Sequence, residues 1–357
     1  MKKSTAIILT NGLFSSQDAK TAHGLVRGTA RFDVLGIIDH NEVGKDAGTL
    51  VDGKHRNIPI FASLEDAIAQ IDQKIEFAIL GVATVGGVIP EVIKNQLLTV
   101  LEEGIGLVNG LHQFVSEMPE LVALAAEKGV ELIDVRKMKP REELHFWDGS
   151  IFDVECPIIG ILGTDCATGK RTTTSLLTQY AQNQKVNAQM IYTGQTGWML
   201  GVPDGLIFDS TLNDFVSGEL EAAIVKTYHR FNPEFILLEG QAALYNPSGP
   251  CGSEYLISGN AKGVILQHAP ARTYFKGWNH LGLKIPPLQK YIDLIRLYDA
   301  EVLAITLNTQ HLSEAEARQY QKTYEKAFGL PVILPMEEEE LGMQRLLEVL
   351  HQYKESF

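Results

Sequence analysis

The chain has 357 residues and a formal net charge of −13, with 31 Lys and Arg against 44 Asp and Glu. Apolar residues at 45% and charged residues at 21% are ordinary globular usage, which excludes a disordered or fibrous chain; at about 150 residues per domain the length predicts two cores. The acidic balance argues against a nucleic-acid partner, which needs clustered Lys and Arg, and no run approaches the roughly 20 apolar residues of a membrane span.

Met1-Lys2-Lys3 carries the charge of a signal segment, but Ala6-Ile7-Ile8-Leu9 is too short for its apolar part and runs into Thr10-Asn11-Gly12. It reads as a first strand entering a turn. Further strands are expected over 34–38, 77–81, 106–109 and 131–135, with helices over 18–27, 64–71, 90–103 and 119–128. Strand and helix alternate, and the strands are near-continuous apolar runs, which predicts a parallel sheet covered on both faces. After the first strand there is no GxGxxG, so Asp39, at the end of the second, is weak support for a dinucleotide. Lys20, His23 and Arg27 fall three and four apart on one helix face, either simply solvated or presenting cations to an acidic ligand.

Lys137 to Glu143 is charged, contains Pro140, and breaks this rhythm. A domain boundary is expected there: a Rossmann-like domain over 1–140, a linker over 141–156, and a second parallel α/β domain over 157–357. Strands are expected over 158–162, 188–192, 235–238, 263–266, 302–307 and 331–334, and helices over 172–182, 214–228, 288–298, 313–328 and 339–353. Ser313 and Glu316 have capping-box spacing. The three cysteines, Cys156, Cys166 and Cys251, show no CxxC spacing and no disulfide framework, so a reducing cytoplasm is the expected location.

The strongest chemical signal is Gly163-Thr164-Asp165-Cys166-Ala167-Thr168-Gly169-Lys170-Arg171-Thr172. An apolar strand runs into a Gly-containing loop, then Gly-Lys, then a Thr-rich helix start. Consecutive backbone N–H groups and a helix N-terminus suit a phosphate, and Lys170 suits its charge. The pattern departs from the usual P-loop twice. The first Gly stands one residue early, as in the Gly-Thr-Asp loop of dethiobiotin synthetases, and Arg171 occupies the place of the Mg²⁺-holding hydroxyl. Thr172 is the available substitute, with Glu239 as the second metal candidate.

The following strand ends carry polar clusters, where parallel sheets gather ligands. Gln195 and Thr196 lie in Thr193-Gly194-Gln195-Thr196-Gly197 and are candidate substrate contacts. Glu239 ends its strand as a metal or water ligand or general base, or else as a helix cap or structural ion pair. His268 is either a proton shuttle or a structural histidine. Arg272 suits a bidentate grip on a carboxylate or phosphate. Cys166 and Cys251 have no neighbouring catalytic motif.

Together the loop Gly163 to Lys170, Thr193 to Gly197, Leu238-Glu239-Gly240-Gln241, Gln267-His268 with Arg272, and Lys20 to Leu25 resemble a known two-domain family. It was catalogued as a domain of unknown function and is now called D-glutamate N-acetyltransferase-like. The resemblance spans essentially the whole chain. It implies a Rossmann-like half followed by a P-loop NTPase-like half, and transfer of acetyl from acetyl-CoA to the amine of D-glutamate or a similar acidic amino acid. In that reading the loop residues hold CoA phosphates. Arg272 with Lys20, His23, Arg27, Gln195 and Thr196 receives the substrate, His268 or Glu239 takes the proton, and no metal is needed. The rival readings are a Mg-ATP-dependent enzyme of the dethiobiotin-synthetase kind and a nucleotide-binding module without catalysis. Homo-oligomerisation is compatible with either.

Overall fold

The computed structural model describes residues 2–357, the side chains of Val85 and Glu339 excepted. It divides into two units: Met1–Met138 with Gln195–Val202, and Lys139–Gly194 with Pro203–Phe357. In the first, strands β1 (Ser4–Leu9), β2 (Phe32–Ile38), β3 (Ile60–Phe61), β4 (Phe77–Leu80), β5 (Gly106–Asn109) and β6 (Leu132–Asp134) form one sheet in the order β3-β2-β1-β4-β5-β6. All its pairings are parallel. The connecting helices are α1 (Lys20–Arg27), α2 (Ala47–Asp52), α3 (Leu64–Gln70), α4 (Glu91–Glu102) and α5 (Pro119–Lys128). The order reverses between β1 and β4, which is the Rossmann arrangement. Ile7, Ile8 and Ile79 are fully buried, as central strands covered on both faces require.

The second sheet begins with β7 (Ile158–Gly163), which leads into α6 (Lys170–Asn183). Then come β8 (Ala188–Tyr192), α7 (Gln195–Met199), β9 (Asp204–Gly205), α8 (Asn213–Phe231), β10 (Phe235–Glu239) and α9 (Ser253–Leu256). The chain closes with β11 (Gly263–His268), α10 (Leu288–Leu297), β12 (Glu301–Leu307), α11 (Glu314–Phe328), β13 (Val332–Ile333) and α12 (Glu339–Ser356). The order β13-β12-β11-β7-β10-β8-β9 is again parallel throughout. Alternate residues feed opposite faces. Ile158, Leu162, Ile236 and Leu238 pack with Leu220, Ile224 and Tyr291, whereas Ile159, Ile161, Phe235 and Leu237 pack with Leu177, Leu346 and Leu350. Two cores of this kind, one on each face, are what a continuous apolar strand needs. Both units are therefore parallel three-layer α/β structures, and no helix among the described residues is long and apolar enough to cross a membrane.

Most expected elements are present with ends shifted by a residue or two, and Ser313 does form a capping box with Glu316. The elements not expected are short: β3, β9, α2, α7 and α9. The segment expected as a linker is fixed in place. Glu221 on α8 accepts from the backbone N–H groups of Asp148, Gly149 and Ile151, and Glu219 accepts from His145 N and Lys139 Nζ. Helix α7 follows β8 in sequence yet packs in the first unit. There Thr196 Oγ1 lies 3.2 Å from Thr21 Oγ1, and Arg31 Nε donates to Trp198 O at 2.8 Å with its guanidinium 3.9 Å from the Trp198 ring centroid.

Candidate active site

Strand β7 delivers the chain to the loop 164–169 at the centre of its sheet, between β10 and β11. Two loop residues take left-handed backbone angles, Ala167 at φ 51° and Gly169 at φ 110°. These turns curl the loop into a concave nest of N–H groups. Among the described residues, none of the backbone N–H groups from Cys166 to Lys170 meets an acceptor. A row of unmet donors at the start of a 14-residue helix is a site for an anion. Gly163 has to be glycine because a Cβ there would stand 2.9 Å from Thr168 Oγ1 and 3.0 Å from Lys170 Cδ.

Lys170 folds back over this nest. Its Nζ donates to Asp165 O at 2.7 Å and to Ala242 O at 2.8 Å, and burial pulls its pKa down to about 8. Ala242 holds a φ of 31°, uncommon for a residue with a Cβ, so the segment after β10 is bent to reach the lysine. Asp165 points away from the nest. It is fully buried and accepts from Arg272 Nη1 at 2.8 Å, Lys276 N at 2.8 Å and Asn246 Nδ2 at 3.1 Å. Arg272 Nη1 also donates to Cys166 O at 2.7 Å. One carboxylate thus fastens two separate segments, at 246 and at 272–276, around the loop.

The other strand ends converge here. Glu239 at the end of β10 is buried, and Thr193 N donates to its carboxylate at 3.2 Å while Thr193 Oγ1 donates to its carbonyl at 2.5 Å. Burial lowers the Arg171 pKa, and the negative charge of Glu239 works against that shift. At the end of β11, His268 Nδ1 sits 2.9 Å from Thr164 Oγ1. Burial, then the positive charge of Arg272, lowers the His268 pKa to about 4, so its imidazole is neutral at pH 7. Gln267 Oε1 accepts from Thr173 and Thr306, tying the first turn of α6 to β12.

The structure therefore assembles the loop, Glu239, His268 and Arg272 in one unit. Arg272, expected to grip a substrate carboxylate, has its Nη1 engaged by Asp165 and Cys166. Lys20, His23 and Arg27 lie on α1 of the other unit, where His23 Nε2 contacts Phe14 O at 2.6 Å and Arg27 lies 3.6 Å from Asp52. Gln195 and Thr196 join them there through the Thr21–Thr196 contact. Asn246 and Gln241, the latter donating to Thr193 Oγ1 at 3.1 Å, belong to the cluster and were missed. The signal in sequence is the turn-rich stretch 245–252 after β10, which reads as an active-site cover or merely as a long loop. Asp39 is fully buried and accepts from Thr10 Oγ1, Phe14 N and Asn41 N, a structural role in place of a ribose contact.

Residues 145–347 match the model described as the P-loop domain of a domain-of-unknown-function family, DUF1611, and residues 40–138 match its Rossmann-like domain. The chain belongs to this family. A crystal structure of a DUF1611 family protein from Anabaena variabilis superposes with a TM-score of 0.86 at 28% identity, covering 98% of this chain and all of that one. A curated relative from Tritonibacter scottomollicae, named D-glutamate N-acetyltransferase, is 32% identical over 280 residues, 76% of this chain and 80% of its own length. A relative of the same name from a Pseudoalteromonas species is 26% identical over 265 residues, 72% of this chain and 77% of its own. With two relatives of that name matching over most of its length, this chain is an enzyme of the acetyltransferase class.

Proposed function

We propose that the chain transfers acetyl from acetyl-CoA to the amine of D-glutamate or a similar acidic amino acid, with the loop Gly163 to Lys170 gripping CoA phosphates. The observation that carries this reading is the row of unmet N–H groups over Lys170, with Arg171 in place of the hydroxyl that would hold Mg²⁺. CoA offers a pyrophosphate and a 3′-phosphate and needs no metal to be held. The name these relatives carry supports the acetyl group and the acceptor. Residues 163–170 fit such a ligand: the donors are in place, and Lys170 exchanges a neutral carbonyl for a phosphate oxygen, a stronger charge-assisted bond.

Acetyl-CoA supplies a thioester whose carbonyl carbon is attacked by the amine as the thiol leaves. The protein's task is to orient the donor, take the ammonium proton and stabilise the oxyanion. Glu239 is assigned as the proton acceptor, because the Nδ1 of His268 is engaged by Thr164 and burial lowers its pKa. His268 instead positions Thr164 at the loop entrance. Arg272 acts through Asp165 as a positioning residue for the loop; the other side chains expected to receive the acceptor, Lys20, His23, Arg27, Gln195 and Thr196, belong to the first unit. Thr172 and Glu239 are the residues a Mg²⁺ would use under the ATP-dependent reading. A cytoplasmic setting suits a reaction that draws on the acetyl-CoA pool and a chain with free thiols.

The test is thiol release from acetyl-CoA with D-glutamate, run in excess EDTA, with the product identified by mass. N-acetylated product at undiminished rate supports the proposal. Turnover that vanishes with EDTA and returns only with Mg²⁺ and ATP would replace it with the ATP-dependent reading.

A further inference from the structure

The segment between Lys139 and Asp153 has an unusual composition of exposure. Phe146, Trp147 and Phe152 are 65%, 41% and 67% exposed, and Ile257 and Leu212 are exposed beside them. Phe146 and Trp147, adjacent in the chain, anchor the two halves of this patch. Phe146 packs on Phe215 with ring centroids 4.4 Å apart, one turn after Leu212 on α8. Trp147 meets the edge of Phe152 at 5.9 Å, and its Nε1 donates to Ser258 O, next to Ile257.

The patch is held rigidly. Glu219 and Glu221, both buried, bond five donors of residues 139–151. Gly218 lets the segment lie against α8, since a Cβ there would stand 2.1 Å from His145 O. Fixing a segment with buried carboxylates while its aromatic rings face water makes no sense for a plain linker. It suits a surface that is covered, because pre-ordered side chains lose little entropy on association.

The three rings, at roughly 200 Å² each when free, leave on the order of 350 Å² exposed, and Ile257 and Leu212 bring the patch to roughly 500 Å². Two such patches facing each other remove about 1,000 Å² from water before any rim is counted, which is the lower bound for a specific interface. The rim is self-complementary as well. Arg141, Glu142 and Glu143 are exposed on one 3-10 turn three residues before Phe146, so a two-fold axis sets the base of one copy against the acids of the other.

We propose that the chain is an isologous homodimer in solution, joined through Phe146, Trp147, Phe152, Ile257 and Leu212. The test is sedimentation velocity of the full chain from 1 to 50 µM, on wild type and on Phe152→Ser with Ile257→Ser. Leu297→Ser serves as control, since Leu297 is exposed on α10. Wild type and control should sediment at twice the chain mass, and the double variant should shift toward monomer with its dissociation constant raised at least tenfold. Amide exchange over 141–153 in wild type should slow as concentration rises, a readout that needs no variant to fold. A monomeric wild type at 50 µM, a double variant as dimeric as wild type, or exchange independent of concentration would overturn the proposal.

Discussion

Both units bring a central parallel strand into a loop and then a helix, yet the two loops end in opposite chemical states. In the first unit, the turn after β1 is closed by a neighbour: Asp39, just after β2, takes Thr10 Oγ1 and Phe14 N, and Leu13 N and Ser16 N bond carbonyls within the turn. In the second unit, the turn after β7 carries its own carboxylate, Asp165, and turns it outward to Arg272, Asn246 and Lys276 N. Its N–H groups from Cys166 to Lys170 are left open. The fold offers a ligand position at both strand ends. The two turns differ in whether an aspartate takes their donors or faces away from them.

The largest effect expected from this contrast comes from Asp165→Asn. It strands the mostly buried Arg272 charge, and breaking such a pair destabilises by about 3 kcal/mol. Chemical denaturation should show that loss together with weakened CoA binding; retention of both stability and affinity would remove Asp165 as the organiser of the loop. Next is Lys170→Met, expected to weaken CoA binding by about 2 kcal/mol, the value of a hydrogen bond to a charged group, with the fold kept. Calorimetry showing unchanged affinity would mean the nest does not hold phosphate.

The third effect is on pH. Phosphate favours protonated Lys170, whose free-state pKa is about 8. Affinity should therefore be flat below pH 8 and fall toward tenfold weaker per unit above it, about 1.4 kcal/mol by pH 9. A flat profile to pH 10 would put the titration elsewhere. The smallest effect sharpens the contrast from the other side. Asp39→Asn should lower stability by about 1 kcal/mol, because one of its backbone or hydroxyl donors loses an acceptor, and should leave CoA affinity alone. A loss of affinity there would couple the first turn to the ligand.

The sequence displayed the part of this that depends on neighbours in the chain. Apolar runs such as 158–162 and 235–238 reveal strands because each alternate residue is buried on one face or the other, and Gly163 to Thr172 reveals the loop because phosphate chemistry needs contiguous donors. Short elements escaped for the complementary reason: β3 and β9 have two residues each, too few for a period. The aim of a side chain also escaped. Arg272 and Asp165 are 107 positions apart, and nothing local shows that they meet, so an arginine well suited to a carboxylate reads as a substrate group when its carboxylate is the protein's own. The same holds for α7, whose packing partner Thr21 is 175 positions away from Thr196.

The most direct measurement compares acetyl-CoA with acetyl-pantetheine, which has the thioester but no phosphates, as donors to D-glutamate in wild type and Lys170→Met. If the loop holds CoA phosphates, wild type shows a KM for acetyl-pantetheine at least roughly 30-fold above that for acetyl-CoA, as about 2 kcal/mol requires, and most of that gap disappears in the variant. If Lys170→Met discriminates between the two donors as sharply as wild type, the phosphates are held somewhere else and the loop has another purpose.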